Sequence, residues 1–481
     1  MYQIFFSALF FLTTFSVFAD PPPSHVMTMD EAIMLAIRKN PNVLQAKLND
    51  VRQKYALFLA EWEFKPHYTL SAKTTTMRNF SVTDDGYVTE NSTGVDGAVT
   101  LLTPYGTKGT LASSVNQTAH FHPSLSLDVI QPLIRGFGKP IVETALFNAK
   151  DNRKVSLLNI ENTLRNTVTA VINAYLDVIS AEKSLKVDED ALERAELSAT
   201  QTKLFIKSGR KAGVELVAVD ADIARAKTNI ENDENTLRET RFALLNAIGL
   251  DPNSNITFSS IDISWLMKKY HVPMLNDAKI LAIDNDIQYQ IDQLTFHGAL
   301  QRNLQEAKDN TRPQLDLIGN LSTGTSNDDN NSGLKSLVNG INQTSSLTLS
   351  LAVPVDDQVA KMALQSAKIA IQEAKIALQQ EKWNKETITI NSWNSIASAK
   401  RASLLAEEAK QLQEQAYQIS FQKYSHGLID SLQLQSALQQ LKLSAEALNQ
   451  ASMNYVKALV NFDLLIGNTL KTWDIEVKKR E

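Results

Sequence analysis

Between Pro140 and Gly209 the chain contains neither glycine nor proline, and the same holds between Pro354 and Gly427. Intervals that long without a breaker predict single helices. At a 1.5 Å rise, about 68 residues make a rod of roughly 100 Å, far beyond an ordinary globular helix. In the first rod Leu157, Leu164, Val171, Val178, Leu185, Leu192, Ala199 and Ile206 recur at intervals of seven, with Val168 and Tyr175 in the alternate seam positions. A seven-residue period winds a helix into a left-handed supercoil with a partner. Past Gly209 the seam resumes at 3-4 spacing through Leu216, Val219, Ile223, Ala226, Ile230, Leu237 and Leu244. The pattern predicts a helix that runs out, turns near Gly209 and Gly213, and returns.

The returning helix has a second copy. Shifted by 218 positions, Gly209 falls on Gly427, Leu216 on Leu434, Ile223 on Leu441, Ile230 on Leu448, Leu244 on Phe462 and Gly249 on Gly467. A whole seam and two glycines agreeing at one offset indicate an internal duplication. Each half also opens on a similar shorter helix, from Asp30 to Asn40 and from Asn276 to Asp286, sharing Ala32/Ala278, Leu35/Leu281, Ala36/Ala282 and Ile37/Ile283. Each is expected to continue to a breaking proline, Pro66 or Pro313. Two helices of about 37 residues stacked end to end match the length of one rod.

After each proline the period changes from helical to two. Tyr68, Leu70 and Ala72 alternate with polar residues, as do Leu315, Leu317, Gly319 and Leu321. A closing strand follows in each half: Leu125, Leu127 and Val129 before Pro132, and Leu347, Leu349, Leu351 and Val353 before Pro354. The intervening clusters, Thr83 to Gly86 and Ser326 to Gly333, read as exposed loops. Such strands suit a soluble hairpin or a transmembrane barrel with one face to lipid. Four strands from one chain cannot close a water-filled barrel, because an open edge in lipid leaves backbone groups unpaired. Several copies would have to contribute. Val95 to Leu102 and Thr110 to Val115, flanking a turn at Pro104, leave room for an extra hairpin in the first half.

The first 19 residues are apolar and aromatic and end Val17-Phe18-Ala19, resembling a secretory signal peptide. No later window is apolar enough for a spanning helix. The 481 residues include no cysteine, which excludes disulfides and thiolate metal sites. A net charge of -5 offers no surplus for nucleic acid. The segments divide as a signal peptide over 1–19, a first repeat over 20–250 with strands in 66–132 and a helix hairpin over 140–249, an equatorial belt over 251–275, a second repeat over 276–467 with strands in 313–354 and a hairpin over 355–467, and a tail over 468–481.

Duplicated halves of short helix, strand pair, long helix, glycine turn and returning helix resemble the TolC family of outer-membrane efflux and secretion channels. The resemblance covers almost the whole mature chain and is carried by the opening helix with Asn40-Pro41, by Gln131-Pro-Leu-Ile-Arg-Gly-Phe-Gly138, and by Tyr424-Ser-His-Gly427-Leu428 before the Leu434 seam. It implies a fold that is mainly α with a transmembrane β-barrel portion, in which a long antiparallel coiled-coil α-barrel continues into a β-barrel completed by trimerisation, four strands per chain and twelve in all. It further implies a periplasmic adaptor docking at the helix tips, Gly209, Gly213, Gly427 and Leu428, with an inner-membrane transporter behind it and outer-membrane lipid around the strands. Tyr424 matches a tyrosine that holds the entrance shut in the family. Aspartates that narrow the mouth in the best-known member are replaced here by Gln433 and Ser436. Glu215 and Asp430 keep carboxylates nearby, giving an entrance gate of Glu215, Tyr424, Asp430 and Gln433. Carboxylates repeated by symmetry would form an acidic ring; equally, both suit helix starts, where the dipole favours them.

Other chemistry is thinly represented. His120 and His122 lack thiolates or a third ligand nearby. Gly136-Phe-Gly138 lacks the third glycine and the βαβ unit of a dinucleotide fingerprint. Trp383 and Trp393 are expected between helices. No enzyme constellation appears and no cofactor or metal is expected. An outer-membrane duct accounts for every segment. A periplasmic coiled-coil scaffold or adaptor without a pore explains the seams but not the strand blocks.

Overall fold

The architecture is that of a computed structural model, which describes residues 26–81, 86–117, 121–254, 256–324 and 343–476. The leader and the loops at 83 and 326 fall outside these residues.

The first half opens with β1 (Val26–Met27), α1 (Met29–Lys39) and α2 (Pro41–Trp62). Thr28 and Glu31 cap α1 reciprocally, each side chain accepting from the other's backbone amide. Asn40 ends α1 and starts α2, its Oδ1 accepting from the Asn42 amide at 2.8 Å with Pro41 in the first turn. The strands β2 (His67–Ser81), β3 (Gly86–Leu102), β4 (Lys108–Gln117) and β5 (Phe121–Pro132) follow, then a short α3 (Lys139–Val142) and the rod α4 (Thr144–Lys207). The return helix α5 (Val214–Ile248) leads to a belt of β6 (Thr257–Phe258) and α6 (Ile263–Lys269).

The second half holds α7 (Leu275–Asp284), α8 (Ile287–His297) and α9 (Ala299–Asn310). The single opening helix expected up to Pro313 is therefore three pieces. Asp286 caps a new start through the Tyr289 amide at 2.8 Å, and Gly298 leaves helical geometry at φ -100, ψ -94. Then come β7 (Gln314–Gly324), β8 (Gln343–Ala352), the second rod α10 (Gln358–Ser425), its return α11 (Ser431–Leu465) and α12 (Thr469–Thr472).

The larger sheet has six strands in the order β2-β3-β4-β5-β7-β8, all antiparallel. Four strands per chain, the number drawn from the resemblance, is thus too few. The two segments flanking Pro104 lie in β3 and β4, and they pair with each other from Thr93 opposite Gln117 to Leu102 opposite Lys108. The turn between them is held by Gly106, at φ 93, where an added Cβ would come within 2.7 Å of the Gly136 carbonyl.

Register places one apolar row on one face. Val99 lies opposite Tyr68 and Leu111, Leu127 opposite Leu111 and Leu321, and Leu317 opposite Leu349. The opposite face carries Asp96, Thr110, Ser114, Asp128 and Asn320, joined by hydrogen bonds such as Ser114 to Asp96 at 2.6 Å and Asn320 to Asp128 at 2.5 Å. Among the described residues no second layer covers the apolar face of the sheet, and its leucines and valines are largely exposed.

The helices form a wall. Contacts run α2 to α4 and on through α8 and α9 to α10 in the part near the sheet, and α5 to α4 to α11 to α10 beyond the belt, four helices wide at each level. The short helices accordingly share the length of each rod, as their lengths required. Most of the core gathers at the belt, where β1 pairs with β6 and Tyr175, fully buried, donates to the Met27 and Ser259 carbonyls. Burial pushes the Tyr175 phenol up to about 12, so it remains a neutral donor.

The duplication is also visible in matched junctions at this level. Asn40 Nδ2 donates to the Ala247 carbonyl at 2.7 Å, and Asn285 Nδ2 to the Ile466 carbonyl at 2.9 Å. Beside each sits a left-handed glycine, Gly249 at φ 87 and Gly467 at φ 74. A Cβ on Gly249 would lie 2.7 Å from the Lys39 carbonyl oxygen, whereas Gly209, also left-handed, has nothing within 4 Å. Gly209→Ala is therefore expected to cost only the strain of a left-handed alanine, about 1–2 kcal/mol. Gly249→Ala adds a backbone collision and should cost at least about 2 kcal/mol more, a difference read from urea unfolding of the two variants.

Candidate functional site: the helix tips

The two hairpin tips are built alike. Rod α4 ends with the Gly209 amide donating to Ile206 and the Arg210 amide to Phe205 at 2.9 Å, and rod α10 with Gly427 donating to Tyr424 and Leu428 to Lys423 at 2.9 Å. This is the double closure of a Schellman motif, with glycine in the left-handed position it needs. Gly209 and Gly427 are both exposed. So are Val214 and Leu432, which are related by the repeat offset, and Leu428 at the apex. Gly213 precedes α5 with an ordinary helical φ of -59 and no side-chain cap.

Tyr424 is fully buried rather than presented to solvent. Its hydroxyl meets the Thr202 hydroxyl at 2.5 Å, and its ring stands edge-on to Phe205 at 5.8 Å between centroids. Thr202 donates onward to the Ser198 carbonyl at 2.8 Å, which leaves its oxygen to accept from Tyr424. The contact ties α10 directly to α4 at the tip. Around it Tyr417, Leu434 and Leu441 complete a small tip core.

Lys211 joins two residues that the sequence singled out separately. Its Nζ lies 4.3 Å from the centre of the Tyr424 ring and 2.8 Å from Glu215 Oε2. Glu215 is therefore ion-paired within the protomer, and its partner is simultaneously a cation over an aromatic face. Asp430 is the N-cap of α11, accepting from the Gln433 amide at 2.8 Å, which satisfies one orphan donor of the first turn. Sequence reasoning missed Lys211, Thr202 and Phe205. Only Lys211, four positions before Glu215, left a signal, the i,i+4 charge pair.

Further along the wall lies a buried charge cluster. Lys442 is 2.5 Å from Asp188 and 3.5 Å from Glu446. Asp233 on α5 is pushed up to about 6, first by burial and then by the Asp188 carboxylate beside it. Nearer the tip Arg194 forks onto Glu414 at 3.1 and 3.3 Å and stacks over Tyr417 at 4.9 Å. Burial opposes the Glu414 charge, but hydrogen bonds from Gln418 and Arg194 hold it below the usual range.

The remaining candidates have structural surroundings. His122 stands in β5, and His120 lies outside the described residues. The Gly136 amide donates to Asp309 at 2.7 Å, joining the sheet exit to α9. Trp393 donates to the Pro273 carbonyl at 3.2 Å, but Trp383 is exposed within one chain rather than packed between its helices. Among the described residues no group of three or more histidines and carboxylates is placed to hold a metal, and no helix is long and apolar enough to cross a membrane.

Residues 297–468 match the family model described as outer membrane efflux protein. A comparison with curated proteins finds no match. Among solved structures the chain resembles CusC, described in terms of folding and transmembrane channel formation, with a TM-score of 0.70, 13% identity and coverage of 91% of this chain and 92% of that one. It also resembles the Campylobacter jejuni CmeC outer membrane channel, with a TM-score of 0.68, 13% identity and coverage of 92% and 86%. For the open state of the Neisseria gonorrhoeae MtrE outer membrane channel the values are 0.67, 16%, 91% and 88%. The whole fold is of this type.

Asp233 yields a pH prediction. A carboxyl held at about 6 in the folded chain against 3.8 ordinarily binds its proton more tightly when folded. It favours folding below pH 4, and that contribution is lost as pH rises to about 6. Asp233→Asn should remove this decline, leaving the variant about 1–2 kcal/mol more stable than the parent at pH 7 after discounting for solvent screening. Thermal midpoints of both proteins from pH 4.5 to 7.5 would test it; parallel curves would refute it.

Proposed function

From a chain whose residues 297–468 match the model described as outer membrane efflux protein, we propose that the protein is the outer-membrane channel of a tripartite efflux or type I secretion system. It is a passive homotrimeric duct whose strands cross the outer membrane and whose helices extend through the periplasm. The observation that carries this reading is the six-stranded sheet with an uncovered apolar face and two open edges, standing on a helix wall that also has two open edges.

The edges match each other. At one end of the sheet stands β2, continuous with α2, and along α2 Leu44, Leu48, Val51, Tyr55, Phe58 and Trp62 alternate at 3-4 spacing, all exposed. At the other end stands β8, continuous with α10, whose Met362, Ile369, Ile376 and Trp383 repeat every seven residues and are also exposed. Two coiled-coil seams without partners, on opposite edges, call for one another across copies of the chain. Such a heterologous contact closes into a ring when the rotation permits, and three copies of a wall four helices wide give the twelve-helix tunnel. A soluble scaffold or adaptor would leave the apolar sheet face unexplained.

The exposed Val214, Leu428 and Leu432 at the tips suit a periplasmic adaptor as occupant, with an inner-membrane transporter supplying energy. Tyr424 and Lys211 hold the two hairpins of a protomer together, so the entrance opens when this bolt releases. Mass measurement of the protein extracted from outer membranes should give a trimer; a monomer would contradict the duct. In planar bilayers Tyr424→Phe with Glu215→Gln removes the hydroxyl bond and the carboxylate, and conductance should rise severalfold. An unchanged closed level would remove these residues from the gate.

A further inference from the structure

Strands about 4.8 Å apart and tilted by about 40° occupy roughly 38 Å of circumference for six and roughly 25 Å for four. Four helices at about 9.5 Å between axes also occupy roughly 38 Å. With six strands and a wall four helices wide in each chain, sheet and wall have equal breadth. A four-stranded sheet would have narrowed the duct where it meets the membrane.

We propose that the hairpin of β3 and β4 is part of the lipid-facing barrel wall, that three copies close an eighteen-stranded barrel, and that its lumen is as wide as the helical tunnel and admits solutes about 20 Å across. This rests on the trimeric duct reading and extends it to the cargo the outer mouth passes.

Three observations place the hairpin in the wall. Strand β4 pairs with β3 along all ten of its residues and with β5 along the same ten. It can neither plug the lumen nor swing outward without breaking a full ladder. Its faces continue those of its neighbours: Leu111 joins the apolar row between Val99 and Leu127, while Thr110 lies on the polar side between Thr100 and Asp128. That polar side is bonded across strands, with Asp96 taking both Ser114 at 2.6 Å and Lys73 at 3.3 Å. Interior polar ladders and an exterior aliphatic row define a barrel strand.

Width follows from number. Eighteen strands at this spacing and tilt have a backbone radius of about 18 Å, and twelve about 12 Å. Allowing about 5 Å for inward side chains leaves free radii of about 13 and 7 Å. The wider bore passes a polypeptide folded into a helical hairpin, since one helix with its side chains is about 10–12 Å across. The narrower bore does not. The barrel therefore imposes little size selection, which falls to the tips around Tyr424.

The absence of cysteine from the chain makes single-cysteine labelling clean. In reconstituted vesicles a charged, membrane-impermeant maleimide should label Thr110→Cys at least tenfold faster than Leu111→Cys. Equal rates would overturn the wall assignment. In planar bilayers, polyethylene glycol of about 10 Å hydrodynamic radius added on the extracellular side should enter and lower the conductance of the opened Tyr424→Phe, Glu215→Gln channel. Exclusion of that polymer from a protein that is trimeric by mass would overturn the eighteen-stranded barrel while leaving the duct intact. A monomeric mass would overturn both.

Discussion

Everything above the belt depends on the hydrogen-bonding needs of two strands. Among the described residues β2 and β8 each have one neighbour, and they bound a sheet whose apolar face is uncovered. In water such edges are tolerable, because solvent satisfies the free amides and carbonyls. In lipid every unpaired group costs several kcal/mol, so an edge of ten or more residues must be closed. In the proposed assembly, closure by a second copy would also bring the exposed seams of α2 and α10 together, since each is continuous with an edge strand. One rotation would thus satisfy the backbone of the sheet and the side chains of the helices.

The tips obey a different physics. There the chain is among solvent, and the contacts that matter are few: a hydroxyl pair, one aromatic edge, and an ammonium shared between the Tyr424 ring and Glu215. A hydroxyl pair of this kind is worth about 1 kcal/mol net, and the cation over the ring about the same. Contacts of this size would suit the proposed gate, holding a resting state yet yielding to modest binding energy. If this is the entrance of the proposed duct, burial of these contacts inside one protomer would make opening a movement of hairpin against hairpin, not only of copy against copy.

Rods, returns and glycine tips were legible in the sequence because they depend on local geometry. Heptads from Leu157 to Ile206 and the 218-residue offset report directly which faces are buried and where the chain turns. The strand count was not so legible. From Gly86 to Gly94 both faces of β3 are largely polar, so alternation emerges only from Val95 onward and the element resembles a loop running into a short strand. The split of the second opening helix at Gly298 was hidden for the opposite reason, since the apolar period continues across it. Lys211 escaped notice because its aromatic partner lies 213 positions away, and proximity of that kind belongs to the packing of repeats.

The belt separates these two regimes mechanically. At its level the shorter helices break, at Asn40-Pro41 and at Asn285-Asp286, while α4 continues without interruption to the tip. The breaks are locked by Asn40 to Ala247 and Asn285 to Ile466, with Gly249 and Gly467 packed too closely to admit a side chain. The return helices α5 and α11 end there, in the largest buried cluster, which also receives Tyr175 from the rod. A change of twist at the tips must therefore travel along the rods into a densely packed ring. Close-packed cores resist graded deformation, so in the proposed duct the movement would be absorbed below the belt, by the return helices sliding on the rods they pack against. The barrel, held by its own ladders above, has no need to change shape when the entrance does.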